Sequence, residues 1–299
     1  MTSVLLNLDV KREKMIDLHT HSAISDGTDT VPELIGKAEA QGITVLSLTD
    51  HDTMAGVNEA KVYGVGAGVE VLRGMEMSTH IVVDGANKPV HLLAYGARPD
   101  DRDLTSMLEA VLEARRTRVP AMLELLAGMG MPLDIEDVEA QSVRASSTGR
   151  PHIADAMVAK GYVTSRDEAF KRYLYDSGPA YVHRYTPSLN EAVGLVTRAG
   201  AVPVIAHPWG RGNRPMVTPE IMADAKSYGL FGIEADHIDH TPQERRLLHE
   251  VADDLGLVAT GSSDYHGTGK TRNPLGVCTT PPDVYEKIKT EIEERGGQL

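Results

Sequence analysis

The sequence predicts an α/β fold interrupted by a helical insertion, and three observations predict it. Short apolar runs alternate with amphipathic segments along most of the 299 residues, the pattern of strands exchanging with helices. One long stretch, from Pro99 to Ser177, has helical periodicity and no strand pattern. Histidines and carboxylates follow the apolar runs, as expected where strand ends face a common cleft.

Strands are expected at residues 15–18, 44–48, 69–73, 90–95, 202–206, 231–235 and 257–260. Residues 32–40 read as a helix that Thr30 can cap, with Pro32 in its first turn and Gly42 beyond its end. Residues 241–255 read as another, with Thr241 as cap, Pro242 at the first position and Glu244 nearby. Inside the insertion Leu104, Met107, Leu108, Val111 and Leu112 recur at helical spacing, and Pro120 is expected to kink or break that helix. Helical stretches continue at 134–140, 151–160 and 166–174; a polar loop follows at 270–274, and a helix at 282–295 closes the chain. The expected organisation is one α/β unit, residues 1–99 and 178–299, with the helical insertion at 100–177.

Composition bounds the function. Hydrophobic residues make up 41% and charged residues 24%, a globular balance. Aromatic residues are 4%, so aliphatic side chains and methionine must fill the core. Cys278 is the single cysteine, which excludes an internal disulfide framework and a thiolate zinc site. No apolar run is long enough to span a membrane, and Asp9 interrupts the mildly apolar residues 1–10, which lack a basic start and a cleavage site. A cytoplasmic protein is expected. The net charge of −13 argues against broad nucleic-acid or stable DNA binding, but bound metal ions can reverse the local charge for an anionic substrate.

The titratable residues then fall into place. His19 and His21, two residues apart in an extended run, share a face and can offer imidazoles to one ion, and Asp26 can curl back to them. Asp50-His51-Asp52 ends the second run, where His51 can bind while Asp52 or Thr53 starts the next helix. Glu76 is expected just past the third strand. A hairpin signal at Asp84-Gly85 would return the chain antiparallel and set His91 beside Glu76, with His80 solvent-facing in between. His207-Pro208 ends the fifth run, and Asp264 and His266 repeat the spacing of the first pair. Six histidines and three carboxylates at equivalent strand ends point to a metal centre.

His19-Thr20-His21, Asp26-Gly27-Thr28, Thr49-Asp50-His51-Asp52, Gly74-Met75-Glu76, His207-Pro208 and Ser263-Asp264-Tyr265-His266 resemble the motifs of the PHP (polymerase and histidinol phosphatase) domain. With Gly149-Arg150-Pro151-His152 and Pro179-Ala180-Tyr181-Val182 added, the chain is similar to bacterial PHP phosphoesterases acting on nucleotides. These include enzymes that take the 3′-phosphate from nucleoside 3′,5′-bisphosphates and 5′→3′ exoribonucleases of short RNA. The resemblance implies a distorted (β/α)7 barrel with two or three divalent ions, manganese, zinc or iron. It assigns the first ion to His19, His21, Glu76 and Asp264, and makes Glu76 the bridge to a second held by His91 and His207. Asp26, His51 and His266 would hold a third. Trp209 departs from the small or basic residue expected after His207-Pro208.

The implied reaction is phosphate-ester hydrolysis by a metal-bridging water near Glu76, Asp264, His207 and His266. Arg150, at a helix start, is the first choice for a non-reacting phosphate, with His152 and Arg184 as further contacts. His240 either touches substrate or caps the next helix, and Tyr181 either stacks on a base or fills the core. Arg115, Arg116 and Arg118 are expected on a solvated helix face. The substrate expected is a nucleoside bisphosphate, a nucleoside monophosphate or a short RNA end. Histidinol phosphate is an alternative substrate, and a metal-stabilised module of a polymerase assembly is the non-enzyme alternative.

Overall fold

The computed structural model describes residues 14–299 apart from 143, 147, 211–213 and 215; the reading of residues 1–10 lies outside them. Each expected strand forms: β1 (Ile16–Thr20), β2 (Val45–Leu48), β3 (Glu70–Val83), β4 (Ala86–Tyr95), β5 (Val202–Ile205), β6 (Gly232–Asp236) and β7 (Val258–Gly261). They pair in chain order as one seven-stranded sheet. The main chain of His21 donates to the carbonyl of Tyr265 at 2.9 Å, bringing the far edge back to the first strand. The result is a nearly closed barrel.

Pairing is parallel except around β4, which runs antiparallel to both β3 and β5. The reversal comes from a two-residue turn in which Asp84 has φ 51° and Gly85 φ 76°, the geometry that Asp-Gly favours in tight hairpins. β3 is longer than expected because it does not stop at Arg73; Glu76 lies inside it. Both of its faces are covered from Val71 to Thr79, and the continuation alternates Met75, Met77 and Ile81, which join one apolar cluster, with Glu76, Ser78 and His80 on the other face. His80 is also in this strand, half-buried, with Nδ1 3.1 Å from the carbonyl of Thr186, and not in a solvent-facing loop.

Helices α1 (Val31–Gln41) and α9 (Pro242–Leu255) start as the sequence indicates, each with a threonine–glutamate capping box and each ending at a left-handed glycine. Such caps contribute about 1 kcal/mol apiece. Helix α2 (Val57–Ala67) starts five residues after Asp52, so neither Asp52 nor Thr53 caps it. α7 (Leu189–Arg198), α8 (Pro219–Ser227) and α10 (Pro282–Glu294) complete the barrel's coat. α10 packs Val284, Tyr285, Ile288 and Ile292 against the inner residues of β1, β2, β4 and β5.

Between β4 and β5 stand α3 (Arg102–Gly128), α4 (Ile135–Glu139), α5 (Arg150–Ala159) and α6 (Arg166–Ala169), the last running into a π turn, Phe170–Leu174. They share an apolar cluster of their own, centred on Val119, Met122, Leu126, Ile153 and Met157. Pro120 does not break α3. It lies on the exposed face, where water can satisfy the carbonyl that loses its donor.

Candidate metal centre

The barrel turns its strand ends toward one cavity, and the sequence loads those ends with imidazoles and carboxylates. His19 is in β1 and His21 one residue beyond it, both fully buried. Their Nε2 atoms face each other at 3.1 Å, and each also faces Glu76 Oε2, at 3.4 and 3.2 Å, and Asp264 Oδ1, at 3.4 and 3.5 Å. Two nitrogens and two carboxylate oxygens converging this closely suit a cation better than one another.

Glu76 is the hub. Its second oxygen, Oε1, lies 2.8 Å from His91 Nδ1 and 3.2 Å from His207 Nε2. Antiparallel pairing of β3 with β4 sets Ser78 opposite His91 and brings that imidazole to Glu76, as the hairpin implied. His51 Nδ1 lies 3.1 Å from Glu76 Oε2 without the alignment of a hydrogen bond, and its Nε2 is 3.6 Å from Asp26 Oδ2. Asp26 also faces His266 Nε2 at 3.3 Å. Three sets of ligand atoms therefore cluster within 4.8 Å: His19, His21, Glu76 and Asp264; His51, Glu76 and His91; and His21, Asp26, His51 and His266. Each could hold a divalent ion, and His207 adjoins the second through Glu76.

Charge follows the same geometry. Burial opposes a proton on His21, yet Asp264 and Glu76 outweigh it and lift the imidazole to about 9. His19 is raised in the same way by Glu76, Glu234 and Asp264. His51 is pushed down by burial, and His266 falls to about 4 through burial and Lys270. Burial works against the negative charge of Glu76, Asp26 and Asp264, but the facing imidazoles, and Lys270 beside Asp264, hold all three far below the usual carboxylate range. The carboxylates thus demand positive charge among these imidazoles, which a divalent ion would supply.

Supporting contacts aim the ligands. Glu234 is fully buried in β6, 3.2 Å from His19 Nδ1, and accepts the His207 main-chain N–H at 2.8 Å. His266 donates Nδ1–H to the carbonyl of Asp264, leaving Nε2 for a ligand role. Asp50 accepts from the main chain of Ser22 and from the hydroxyls of Ser22 and Ser25, fixing the turn that carries Asp26. Asp52, His207 and Asp264 all hold positive φ, at 57°, 27° and 53°, a costly conformation outside glycine. Glu234 belongs to no motif in the sequence, although a glutamate inside an apolar strand run signals a buried partner.

Beside these clusters opens a cavity of about 720 Å³. Its far wall is cationic. Arg115 donates Nε–H to Asp52 Oδ2 at 2.8 Å and an Nη2–H to the Ser78 hydroxyl at 2.8 Å. Arg118 is 7% exposed, its Nε has no partner, and its Nη1 reaches only the Val182 carbonyl at 3.5 Å. Arg184 donates to the Tyr185 carbonyl at 3.3 Å; burial, Arg115 and Arg150 pull it down to about 9. That is the signature of a guanidinium short of an anion, since arginine stays charged at neutral pH. Arg150 lies over Phe170 and Tyr181 and pairs with Asp176 at 2.7 Å.

Two expectations change here. Arg115 and Arg118 do not lie on a solvated face; only Arg116 is exposed, paired with Glu113. They continue the apolar stripe of Leu104, Leu108 and Val111 at three- and four-residue spacing, a signal that could have found them. His240 is 2% exposed, with Nδ1 2.9 Å from the Ala235 carbonyl and Nε2 accepting from Trp209 N–H, so both nitrogens are tied to the main chain. Thr241 caps the helix instead. His152 is buried and accepts the Gly149 N–H at its own helix start. Tyr181 is half-buried beside Arg150. Trp209 is buried, with its indole N–H on the Val217 carbonyl. No helix among the described residues is long and apolar enough to cross a membrane.

Residues 17–129 match the PHP domain model. The chain is 31% identical to a 3′,5′-nucleoside bisphosphate phosphatase of Chromobacterium violaceum over 280 residues, 94% of this chain and 97% of that one. It is 30% identical to a 5′-3′ exoribonuclease of Haemophilus influenzae, covering 85% and 90%. A phosphoribosyl 1,2-cyclic phosphate 1,2-diphosphodiesterase of Eggerthella lenta is also 30% identical, covering 84% and 94%. Among solved structures, one from Bifidobacterium adolescentis, named for a metal-dependent phosphoesterase, superposes with a TM-score of 0.86 at 33% identity, covering 92% of this chain and 95% of that one. With its barrel, its clustered ligands and relatives of this similarity along nearly the whole length, the chain belongs to the PHP family of metal-dependent phosphoesterases.

Proposed function

We propose that the protein hydrolyses the phosphate ester of a small nucleotide carrying a second phosphate, a nucleoside 3′,5′-bisphosphate foremost, with His19, His21, Asp26, His51, Glu76, His91, His207, Asp264 and His266 holding two or three divalent ions. One observation carries the reading: the ligand clusters share a cavity with guanidinium groups that lack enough carboxylates to balance them. Divalent ions bound there would acidify a coordinated water and polarise the phosphoryl oxygens.

The chain's own groups do the rest. Glu76 and Asp264 fix the reacting phosphate's end of the cavity. Arg118 and Arg184, with Arg115 and Arg150, bind and orient the non-reacting phosphate by charge-assisted hydrogen bonds. Residues 100–177 act as a cap that carries most of this wall and excludes water. His152, whose Nδ1 accepts a main-chain N–H, keeps its ring proton on Nε2 when neutral, and stands behind the cavity wall beside Asp26, His51 and Arg115. A relative that acts on nucleoside bisphosphates supports the choice. Histidinol phosphate, with one phosphate, would leave the arginine wall unused.

The test is phosphate release from adenosine 3′,5′-bisphosphate by protein reconstituted with manganese, zinc or iron, against AMP, a short 5′-phosphorylated RNA and histidinol phosphate. Faster turnover of the bisphosphate supports the proposal. Preference for histidinol phosphate, or no release with any ion, refutes it.

A further inference from the structure

We infer that Lys270 competes with a divalent ion for Asp264 and that, once displaced, it becomes a phosphate-binding cation on the barrel side of the cavity. The inference rests on the reading of Asp264 as an ion ligand. Lys270 Nζ lies 2.6 Å from Asp264 Oδ2, while the other oxygen of the same carboxylate, Oδ1, faces the Nε2 atoms of His19 and His21 at 3.4 and 3.5 Å. An ion among His19, His21, Glu76 and Asp264 would stand one carboxylate's width from the ammonium. A dication repels an ammonium at that range, and in a largely buried site salt screens the repulsion poorly.

The loop around Lys270 is pinned, so the side chain is what can move. Gly267–Gly269 forms a single 3-10 turn; Thr268 N–H donates to Thr28 Oγ1 at 2.9 Å. The Arg166 guanidinium fills the space a Cβ on Gly269 would need, and Arg166 is itself held by Asp155 and the Asp26 carbonyl. On the other side, Asn273 donates its side-chain N–H to the Ser263 carbonyl at 2.8 Å. Between these anchors Lys270 keeps a flexible four-carbon stem and a 26% exposed side chain.

Where it would go is set by the cavity. Lys270 is the one lysine among the described residues lining it, and it stands with Asp264 and His266 on the barrel side, while Arg115, Arg118 and Arg150 come from the insertion. A phosphoryl group drawn to the metal centre would find guanidinium groups across the cavity and this ammonium next to the ion. Lysine serves there as a compact point charge whose donors can follow the phosphoryl oxygens.

The experiment compares wild type, Lys270→Met and Lys270→Arg by titration calorimetry, first with manganese and then, on the manganese-loaded proteins, with inorganic phosphate. Lys270→Met is expected to bind manganese several-fold more tightly and phosphate about tenfold more weakly, the scale of one charge-assisted hydrogen bond. Lys270→Arg, which keeps the charge, is expected near wild type for phosphate. A folding defect would weaken both ligands, so the opposite signs identify the competition. Unchanged manganese affinity, unchanged phosphate affinity, or weakening of both in Lys270→Met would overturn the inference. Wild-type protein that takes up no manganese, zinc or iron would instead remove the ligand role of Asp264, and this inference with it.

Discussion

Replacing Asp52 by asparagine isolates a buried, ion-paired carboxylate outside the ligand clusters. Asp52 is fully buried and accepts three hydrogen bonds, from Ser78 N–H at 2.6 Å, the Ser78 hydroxyl at 2.9 Å and Arg115 Nε–H at 2.8 Å, with Arg115 Nη2 a further ion-pair contact at 2.7 Å. Asparagine keeps the shape and tolerates the φ of 57°, so the backbone is not what changes. Its amide nitrogen cannot accept from Arg115, and the guanidinium is left largely buried without its counter-charge. Burial alone would raise the Asp52 pKa, yet Arg115, with Arg184 and His51, brings it from 3.8 to about 2. At about 1.4 kcal/mol per tenfold, that gap corresponds to about 2–3 kcal/mol. Stranding one member of a buried pair costs about 3–5 kcal/mol, so Asp52→Asn is expected to lose about 2–5 kcal/mol. Urea unfolding of chelator-treated protein measures it as a lower midpoint at unchanged slope. Arg115→Met on the Asp52→Asn background should recover part of the loss. A change under about 0.5 kcal/mol, or additive single and double variants, would refute the reasoning.

Acid titration gives a second check. A depressed folded value means that the Asp52 contribution is complete above 3.8 and is lost as pH falls through about 2, so the wild type should destabilise more steeply than Asp52→Asn across that window. Glu76→Gln removes the one charge that faces five imidazoles; metal analysis and calorimetry should show ion affinity down by at least about 100-fold, beyond what groups behind the ligands cost. Arg184→Met and Arg118→Met should raise KM for adenosine 3′,5′-bisphosphate by about 10–100-fold while sparing p-nitrophenyl phosphate, which lacks a second phosphate. Equal effects on both substrates would place these arginines at the reacting phosphate instead.

The parts of the fold governed by local chemistry were legible. Threonine caps and trailing glycines located α1 and α9, and apolar runs located seven strands because the barrel's strands are covered on both faces. His91 was placed beside Glu76 from the Asp-Gly turn alone. Legibility failed where tertiary cover overrode local pattern. β3 runs on through Glu76 because His51, His91 and His207 supply partners for a charge that the strand could not otherwise bury. Arg115 and Arg118 looked like surface residues because a guanidinium on an apolar stripe makes sense only once Asp52 and the cavity stand opposite it. His240 looked available because its main-chain partners, at Ala235 and Trp209, are set by a turn that no motif announces.

The left-handed backbone at Asp52, His207 and Asp264 has a consequence for how such a protein can be improved. Each such position costs about 1–3 kcal/mol, which together rivals the whole margin by which a domain stays folded. Substitutions that relax these bends would make a hardier molecule and a poorer catalyst, since the bends set the directions of His207, Asp264 and, through Asp52, of His51, the side chains proposed to hold ions. Thermal hardening is better sought far away, at the exposed Val62 and Val65 of α2, where nothing in the chemistry is wound tight.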